Sequence, residues 1–188
     1  MVGLDFSENS LAYAKNQAKE AGIEIEYHLG NYLEYKDNRQ FDLITLVMCD
    51  LCALNPSQRA TLLAKFKSLL APNGSIVLDV YTAHRFKQQA ESLNVERNAM
   101  NGFWSGEDYW CIQSSFTYQS DLVTLDKYVI SQEDKEWTVY NWLQHFTVDQ
   151  LTNELNAHGL EIKQTYSDLR GTPFTEADEM AVVIGHQS

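Results

Sequence analysis

The segment of residues 41–81 places the strongest constraint on the fold of this chain. Residues 41–49 are nearly continuously apolar, which is typical of a strand covered on both faces in a parallel sheet. Asn55 and Pro56 are a cap and a first helical residue, and they open an amphipathic helix. A second buried strand follows at residues 75–81. Strand, helix and strand with connections this short predict a right-handed crossover, and therefore an α/β fold with a parallel sheet.

The first residues of the chain repeat this order of elements. Residues 1–7 predict a short strand that ends in an acid, and a helix capped by Ser7 or Asn9 follows. Residues 23–29 then alternate between apolar and polar, which predicts a strand with one wetter face. Both halves of the region before residue 82 are therefore expected to contribute to the same kind of sheet.

Asp5 is the first candidate for a functional residue. It lies at the end of a predicted strand, and an acid at the carboxyl end of the second strand of a doubly wound sheet hydrogen-bonds the two ribose hydroxyls of a nucleotide cofactor. The alternative is a helix-capping or surface acid.

The second half of the chain has a different pattern. Residues 82–108 are polar, with a helix expected near 84–96, and the three β-rich runs that follow are too close together to be anything but antiparallel. We interpret residues 82–146 as an insertion or lid on the substrate side. A capping box at Thr147 opens a further helix, and the last two strands are expected at residues 160–166 and 180–184.

Length and charge exclude several classes of protein. A chain of 188 residues with 44% hydrophobic content suits one domain, expected here over residues 1–188. The net charge of -12 opposes binding to nucleic acid or to an anionic membrane surface. Since no apolar run reaches the length of a membrane span and no basic leader is present, we expect a soluble, cytoplasmic protein.

The three cysteines give no sign of metal or redox chemistry. Their odd number fits a reducing compartment. Cys49 and Cys52 form a C-x-x-C pattern, but there is no second pair for zinc, and Cys49 closes a strand instead of opening a helix. We interpret them as buried small hydrophobic residues and expect no metal.

An ordered set of motifs resembles class I S-adenosylmethionine-dependent methyltransferases, and most closely their bacterial small-molecule branch. The resemblance runs from the predicted second strand to the end of the chain, and its motifs are Val2-Gly3-Leu4-Asp5-Phe6-Ser7, Gly30-Asn31-Tyr32, Phe41-Asp42-Leu43-Ile44, Cys49-Asp50, Leu70-Ala71-Pro72-Asn73-Gly74, Phe146-Thr147-Val148, His158-Gly159-Leu160 and the closing segment 166–174. It implies a Rossmann-like, doubly wound, mostly parallel sheet with an antiparallel C-terminal hairpin and an added antiparallel β layer.

The resemblance also implies the cofactor, S-adenosyl-L-methionine, and the residues that hold it. Asp5 would bind the ribose hydroxyls, and Phe6 would pack on the adenine. Asn31 stands where the family often has an aspartate that bonds the adenine amino group, and Tyr32 would supply a ring contact. The residues near the methionine moiety and the transferred methyl group would be Met48, Cys49 and Asp50.

The chain departs from the family at the glycine-rich turn. The family has a first strand, an acid and a glycine-rich turn before the position of Asp5, and these have no counterpart here. That strand normally lies between the strand ending at Asp5 and the one beginning at Phe41, so both neighbours would keep unpaired edges. We therefore expect an N-terminally truncated methyltransferase, a wrong start site, or a rearranged or homodimeric sheet, with cofactor binding impaired in this chain alone.

Methyl transfer from a sulfonium requires no universal catalytic residue, so the sequence does not assign one. Asp50, His84 and His145 are candidates for a base, although His84 could be a surface residue and His145 a satisfied residue near the core. Asp42 and Asp79 are expected to be structural.

The aromatic residues of the second half are candidates for the acceptor site. Tyr81 ends a predicted strand, and a wall for an organic or cationic acceptor could form from Trp104, Tyr109, Trp110, Tyr140 and Trp142. Ordinary packing under the antiparallel layer explains these rings equally well.

Two alternative functions remain open at this point. A non-catalytic remnant that acts as a binding or oligomerisation module fits the missing glycine turn. A nicotinamide-dependent oxidoreductase fragment would also place an acid at Asp5, but the ending from Phe146 to Ile184 argues against it. The sequence leaves undecided which small molecule accepts the methyl group and whether its O, N, S or C atom is modified.

Overall fold

The computed structural model describes residues 1–175 and 177–187 and has three sheets and five α-helices in that part of the chain. The strands are β1 (Val2–Asp5), β2 (Glu26–Leu29), β3 (Phe41–Leu46), β4 (Leu70–Tyr81), β5 (Ser92–Arg97), β6 (Trp110–Tyr118), β7 (Val123–Ser131), β8 (Glu136–Gln144), β9 (Leu160–Tyr166) and β10 (Glu179–His186). The helices are α1 (Glu8–Glu20), α2 (Pro56–Leu69), α3 (Ala83–Lys87), α4 (Ala99–Gly102) and α5 (Val148–Ala157), with a 3₁₀ turn at Asp50–Ala53.

The first two sheets have the predicted doubly wound character. β1 and β2 pair in parallel, with Asp5 opposite Leu29. The second sheet has the order β3-β4-β10-β9, in which β3 and β4 are parallel and β10 is antiparallel to both of its neighbours. This confirms the mostly parallel sheet with an antiparallel C-terminal hairpin. Within the described residues β1 pairs with β2 alone and β3 with β4 alone, in agreement with the unpaired edges expected from the sequence.

The third sheet is the added antiparallel layer, with the order β5-β6-β7-β8. The prediction of a helix near residues 84–96 was wrong, because α3 is only five residues long and β5 follows it. β5 pairs along its whole length with β6, and these hydrogen bonds override the local preference for a helix.

The N-terminal ends of helices α2 and α5 follow from local chemistry. Asn55 accepts from the backbone N–H of Gln58 while the Gln58 side chain accepts from the backbone of Asn55, which completes a capping box at α2. Thr147 and Gln150 make the same pair of bonds at α5, as predicted. No helix of the described residues is long and apolar enough to cross a bilayer.

The main core lies between the second sheet and helices α2 and α5. It is formed by side chains of the 3₁₀ turn, α2, β4, α5, β9 and β10, among them Leu51, Leu62, Leu63, Ile76, Leu78, Leu151, Leu155, Leu160, Met180, Val182 and Ile184. β3 departs from the prediction that both of its faces are covered, since Leu43 is 57% exposed. The reason is that α1 packs on β1 and β2 and leaves this face of β3 uncovered.

Candidate functional site

The carboxyl ends of β1 and β2 carry the first group of candidate residues. Asp5 Oδ1 accepts a hydrogen bond of 2.7 Å from the backbone N–H of Ser7, the N-cap residue of α1. The backbone carbonyl of Asp5 accepts from Gly30 N–H at 2.9 Å, and this bond places Asn31 next to the end of β1. Phe6 is 79% exposed. A carboxylate, an exposed ring and an amide therefore meet at one edge of the sheet.

Asn31 and Tyr32 connect this edge to β3. Asn31 Oδ1 accepts from the backbone N–H of Leu33 at 2.9 Å, which holds the turn after β2. Tyr32 packs against the main core, and its burial together with the neighbouring Asp50 carboxylate raises the pKa of its hydroxyl. Because Asp50 follows β3, the contact brings the ends of β2 and β3 together.

The corner after β3 has a strained backbone. Met48 and Cys49 have φ values of 69° and 55°, in the left-handed region that residues other than glycine rarely adopt. The strand ends here earlier than predicted, because two left-handed residues cannot continue an extended chain. Cys49 N–H donates to Asp79 Oδ1 at 2.9 Å, and both residues are buried. The corner is thereby tied to β4, and such strain is commonly stored at functional sites.

The cysteine side chains around this corner are buried. Cys52 Sγ accepts from the backbone N–H of Tyr81 at 3.2 Å, and all three cysteines are free and buried. Burial raises the pKa of Cys49, with Asp79 adding to the effect, and burial raises the pKa of Cys52 to about 12. One ligand atom each of Cys49, Asp79 and Glu179 lie within 4.8 Å of one another.

Aromatic and cationic groups surround the end of β4. The Tyr81 ring lies 5.8 Å from the His145 ring, and the guanidinium carbon of Arg85 lies 4.3 Å from the centre of the Tyr81 ring. His145 is 1% exposed, and none of the described residues is hydrogen-bonded to its Nδ1 atom. Burial lowers the pKa of His145, so its imidazole is neutral. Arg85 was not predicted; its spacing of four residues from Tyr81 is the signal that could have identified it.

His84 differs from His145 in being partly exposed. It lines a cavity of about 250 Å³ together with Lys87, Phe146 and Phe174. His84 Nε2 is 3.9 Å from Asp178 Oδ1. The structure therefore places two of the three candidate bases, Asp50 and His145, near the strand ends, and the third beside this cavity.

The five aromatic residues considered for the acceptor do not form one wall. Trp104 and Tyr109 pack on one side of the third sheet, where Tyr109 is 2% exposed and donates its hydroxyl to Ala99 O. Cross-strand pairing places Trp110, Tyr140 and Trp142 on the opposite face of that sheet.

Comparisons with known proteins agree with the fold. Residues 1–74 match a family described as a methyltransferase domain. No curated protein matches the sequence. Among solved structures, a S-adenosylmethionine-dependent methyltransferase from Clostridium acetobutylicum superposes with a TM-score of 0.73 at 11% identity, over 100% of this chain and 75% of that chain.

Two further structures give the same result. The CcbJ methyltransferase from Streptomyces caelestis has a TM-score of 0.72 and 15% identity, over 100% of this chain and 74% of that chain. An amino pentose methyltransferase from Micromonospora echinaspora, involved in calicheamicin biosynthesis, has a TM-score of 0.60 and 20% identity, over 97% of this chain and 72% of that chain. The resemblance to methyltransferases is confirmed at the level of the fold and of the domain family matched by the first 74 residues.

Proposed function

We propose that this chain, which has the S-adenosylmethionine-dependent methyltransferase fold and a methyltransferase-domain match over residues 1–74, performs methyl transfer to a small-molecule acceptor. The observation that carries the proposal is the joining of the strand ends. The contact of Tyr32 with Asp50 links β2 to β3, and the bond from Cys49 to Asp79 links β3 to β4. Ligands of open α/β sheets bind at this edge.

The residues at this edge fit the adenosine half of S-adenosylmethionine. Asp5 Oδ1 is occupied by Ser7, and no described residue donates to Oδ2, which leaves one carboxylate oxygen for the ribose hydroxyls. Phe6 offers an exposed ring for the adenine, and Tyr32 a second ring. The Oδ1 atom of Asn31 already accepts from Leu33, so its amide N–H group is the more available partner for the adenine ring.

The methionine half is held less well. The nine glycines of the chain are nowhere spaced as Gly-x-Gly, so no glycine-rich turn is present to approach that part of the cofactor. Met48, Cys49 and Asp50 remain as its contacts, and of these Met48 is 85% exposed. We therefore expect the chain as given to bind the cofactor weakly.

The cofactor supplies the reactive methyl group on a sulfonium, and the protein has to position the acceptor and remove its proton. His145 is neutral at pH 7 and no described residue is hydrogen-bonded to its Nδ1, so this atom would take the acceptor's proton only if binding of the acceptor makes the buried ring accessible. Asp50 and His84 are the other candidates. Tyr81, with Arg85 stacked on it, would contact the acceptor beside His145.

The acceptor class that fits these groups is a small amine or alcohol. Both lose a proton when methylated, and a neutral imidazole is a suitable base for either. One of the matched structures is an amino pentose methyltransferase, which supports this class by similarity of fold. Trp104 and Tyr109 are the aromatic candidates on the inner side of the third sheet.

Amide chemical shifts during a titration with S-adenosylhomocysteine test the cofactor site. The expected result is a shift of the amides of Asp5, Asn31, Tyr32 and Met48 with a dissociation constant in the millimolar range. Asp5→Ala should abolish these shifts, and Asp42→Ala, at an exposed acid on β3, should leave them unchanged. Equal shifts in wild type and Asp5→Ala would contradict the site, and micromolar binding would contradict the weak hold on the methionine half.

A further inference from the structure

A row of polar side chains crosses one face of the third sheet between two apolar regions. Cross-strand pairing places its members opposite one another on adjacent strands, and we call these four residues the polar row: Ser92, Ser115, Asp126 and Asn141. At one end of the same face, Leu143 packs against the main core. At the other end, Cys111 and Ile130 belong to a separate small core. This face is therefore apolar at both ends and polar between them.

Asp126 is the one acid of the polar row. Ser115 donates its hydroxyl to Asp126 Oδ1 at 2.5 Å, and Gln113 Nε2 donates to the same oxygen at 3.4 Å. No described residue donates to Asp126 Oδ2 or forms an ion pair with this acid, and the adjacent Lys127 is on the opposite face of the sheet. The side chain is half-buried. A half-buried carboxylate without a cation is unfavourable, and a positively charged ligand would offset that cost.

Aromatic rings and unused hydrogen-bonding atoms lie beside Asp126. Tyr128 follows on the same face, and its ring centre is 5.1 Å from that of Trp104. Burial raises the pKa of Tyr128 and the charge of Asp126 adds to the effect, so the hydroxyl keeps a proton that it can donate. The buried Trp104 Nε1 and the Asn141 amide make no hydrogen bond to a described residue. Ring faces attract an ammonium group, and these polar atoms suit hydroxyl groups.

The polar row lies close to the corner after β3, where the methionine end of the cofactor is proposed to bind. β8 contacts the 3₁₀ turn that begins at Asp50, and Leu143 of β8 packs against the main core, of which Cys49 is part. Asn141 and Asp126 are one row further along the same face, a distance of about 7 Å. A small molecule bound at the polar row can therefore reach this corner with its other end.

We propose that the polar row binds the methyl acceptor, and that Asp126 makes the site specific for an acceptor with an ammonium group. The inference rests on the proposed function, because methyl transfer is what makes this ligand an acceptor. An ion pair with a carboxylate favours the protonated form of an amine, which has no lone pair to take up the methyl group. The ammonium group at Asp126 is therefore a recognition group. A second amine or a hydroxyl of the same molecule, nearer to Asp50, is the group that is methylated, and the acceptor is an amino alcohol or a diamine.

Titration of the full chain with glucamine at pH 7, followed through amide chemical shifts, tests the proposal. Sorbitol is the matched ligand, since it has a neutral hydroxyl in place of the ammonium group. We expect the amides of the polar row to shift, and glucamine to bind about tenfold more tightly than sorbitol, because it alone makes a charge-assisted hydrogen bond with Asp126.

Two variants identify the source of this preference. Asp126→Asn keeps an oxygen that can accept from Ser115 but removes the charge, so it should bind glucamine and sorbitol equally weakly. Asp134→Asn, at an exposed acid between β7 and β8, is the matched control and should keep the preference for glucamine.

Wild-type protein alone can overturn the proposal, whatever the folding of the variants. It is overturned if glucamine binds no better than sorbitol, or fails to bind up to about 50 mM, and also if Asp126→Asn keeps the preference. These samples contain no cofactor, and S-adenosylhomocysteine is titrated into a parallel sample. Loss of the S-adenosylhomocysteine response alone would contradict the proposed methyl transfer and leave Asp126 as an ammonium site. Loss of the glucamine response alone would contradict only the role of Asp126.

Discussion

Asp79 accepts a hydrogen bond from the backbone N–H of Cys49, and this bond fixes the corner after β3 to the end of β4. The acceptor is a buried carboxylate, and the donor belongs to a residue in the left-handed conformation. A side chain on one strand therefore holds the strained backbone of its neighbour, at the edge where the cofactor is proposed to bind.

Asp79→Ala should lower the free energy of unfolding by about 1–3 kcal/mol, because a buried N–H loses its charged acceptor. Asp79→Asn keeps an oxygen that can accept the hydrogen bond from Cys49 N–H, so its free energy of unfolding should fall by less. Urea unfolding monitored by circular dichroism measures both. Asp42→Ala, at an exposed acid, is the control and should stay close to wild type; equal losses for Asp79→Ala and Asp42→Ala would contradict the role of the bond.

Met48→Gly should raise the free energy of unfolding by up to about 1 kcal/mol, since glycine adopts a φ of 69° without steric cost and the exposed methionine side chain contributes little packing. Met48→Ala removes the same side chain but keeps the strain, so it should show no gain. Thermal and urea unfolding of the pair provide the measurement. If the glycine variant is no more stable than the alanine variant, the corner is not strained.

Glu154→Ala should lower the free energy of unfolding by about 2 kcal/mol or more. Arg59 is 5% exposed and donates to Glu154 Oε1 at 2.6 Å and to Leu54 O at 2.8 Å, so removal of the carboxylate leaves a buried cation. Arg97→Ala breaks an ion pair with Asp108 whose partners are both more than half exposed, and it should change stability by less than about 1 kcal/mol. The reverse order of these two losses would refute the distinction.

The stability of the wild type should fall as the pH is lowered from 7 to 5. Burial depresses the pKa of His145 in the folded protein below its ordinary value of 6.5. The unfolded chain then binds the proton first, so protonation below about pH 6.5 favours unfolding, and the loss continues down to the folded pKa. Well above pH 6.5 this group has no effect on stability, because it is neutral in both states.

His145→Phe should remove this slope between pH 7 and 5, since phenylalanine can occupy the space beside Tyr81 and Phe86 without titrating. Urea unfolding at a series of pH values shows whether it does. His158→Gln, at a partly exposed histidine on the C-terminal end of α5, keeps His145 and should keep the slope. A slope that persists unchanged in His145→Phe would rule out this residue as its source.

Local chemistry in the sequence predicted much of the fold. β9 has the predicted bounds, and the proline-led helix and the capping box at Thr147 begin where expected. Helix caps and strand periodicity depend on residues a few positions apart, which a sequence displays directly. β5 was missed because it is stabilised by pairing with β6, a contact that no local pattern contains.

The candidate site was less accessible to sequence reasoning. The early end of β3 depends on the bond between Cys49 and Asp79, which are thirty positions apart. The five aromatic residues expected to form one wall lie on two faces of the third sheet, because side chains alternate between the faces of a sheet. Which face Trp142 takes depends on the register of β8 with β7. Arg85 reaches Tyr81 only through the turn into α3. The functions of these residues remain predictions.

The unit formed by β1, α1 and β2 is weakly packed, and this links ligand binding to the ordering of the chain. Leu11 is the one side chain of residues 1–30 that is buried, whereas the main core is built from residues beyond them. Lys65 fastens the loop after this unit by donating to the carbonyls of Leu33 and Tyr35. A weakly packed unit opens more readily than the rest of a protein. A nucleoside bound by Asp5 would therefore slow amide hydrogen exchange most in β1 and β2. Binding of the ligand and ordering of this unit would then be coupled.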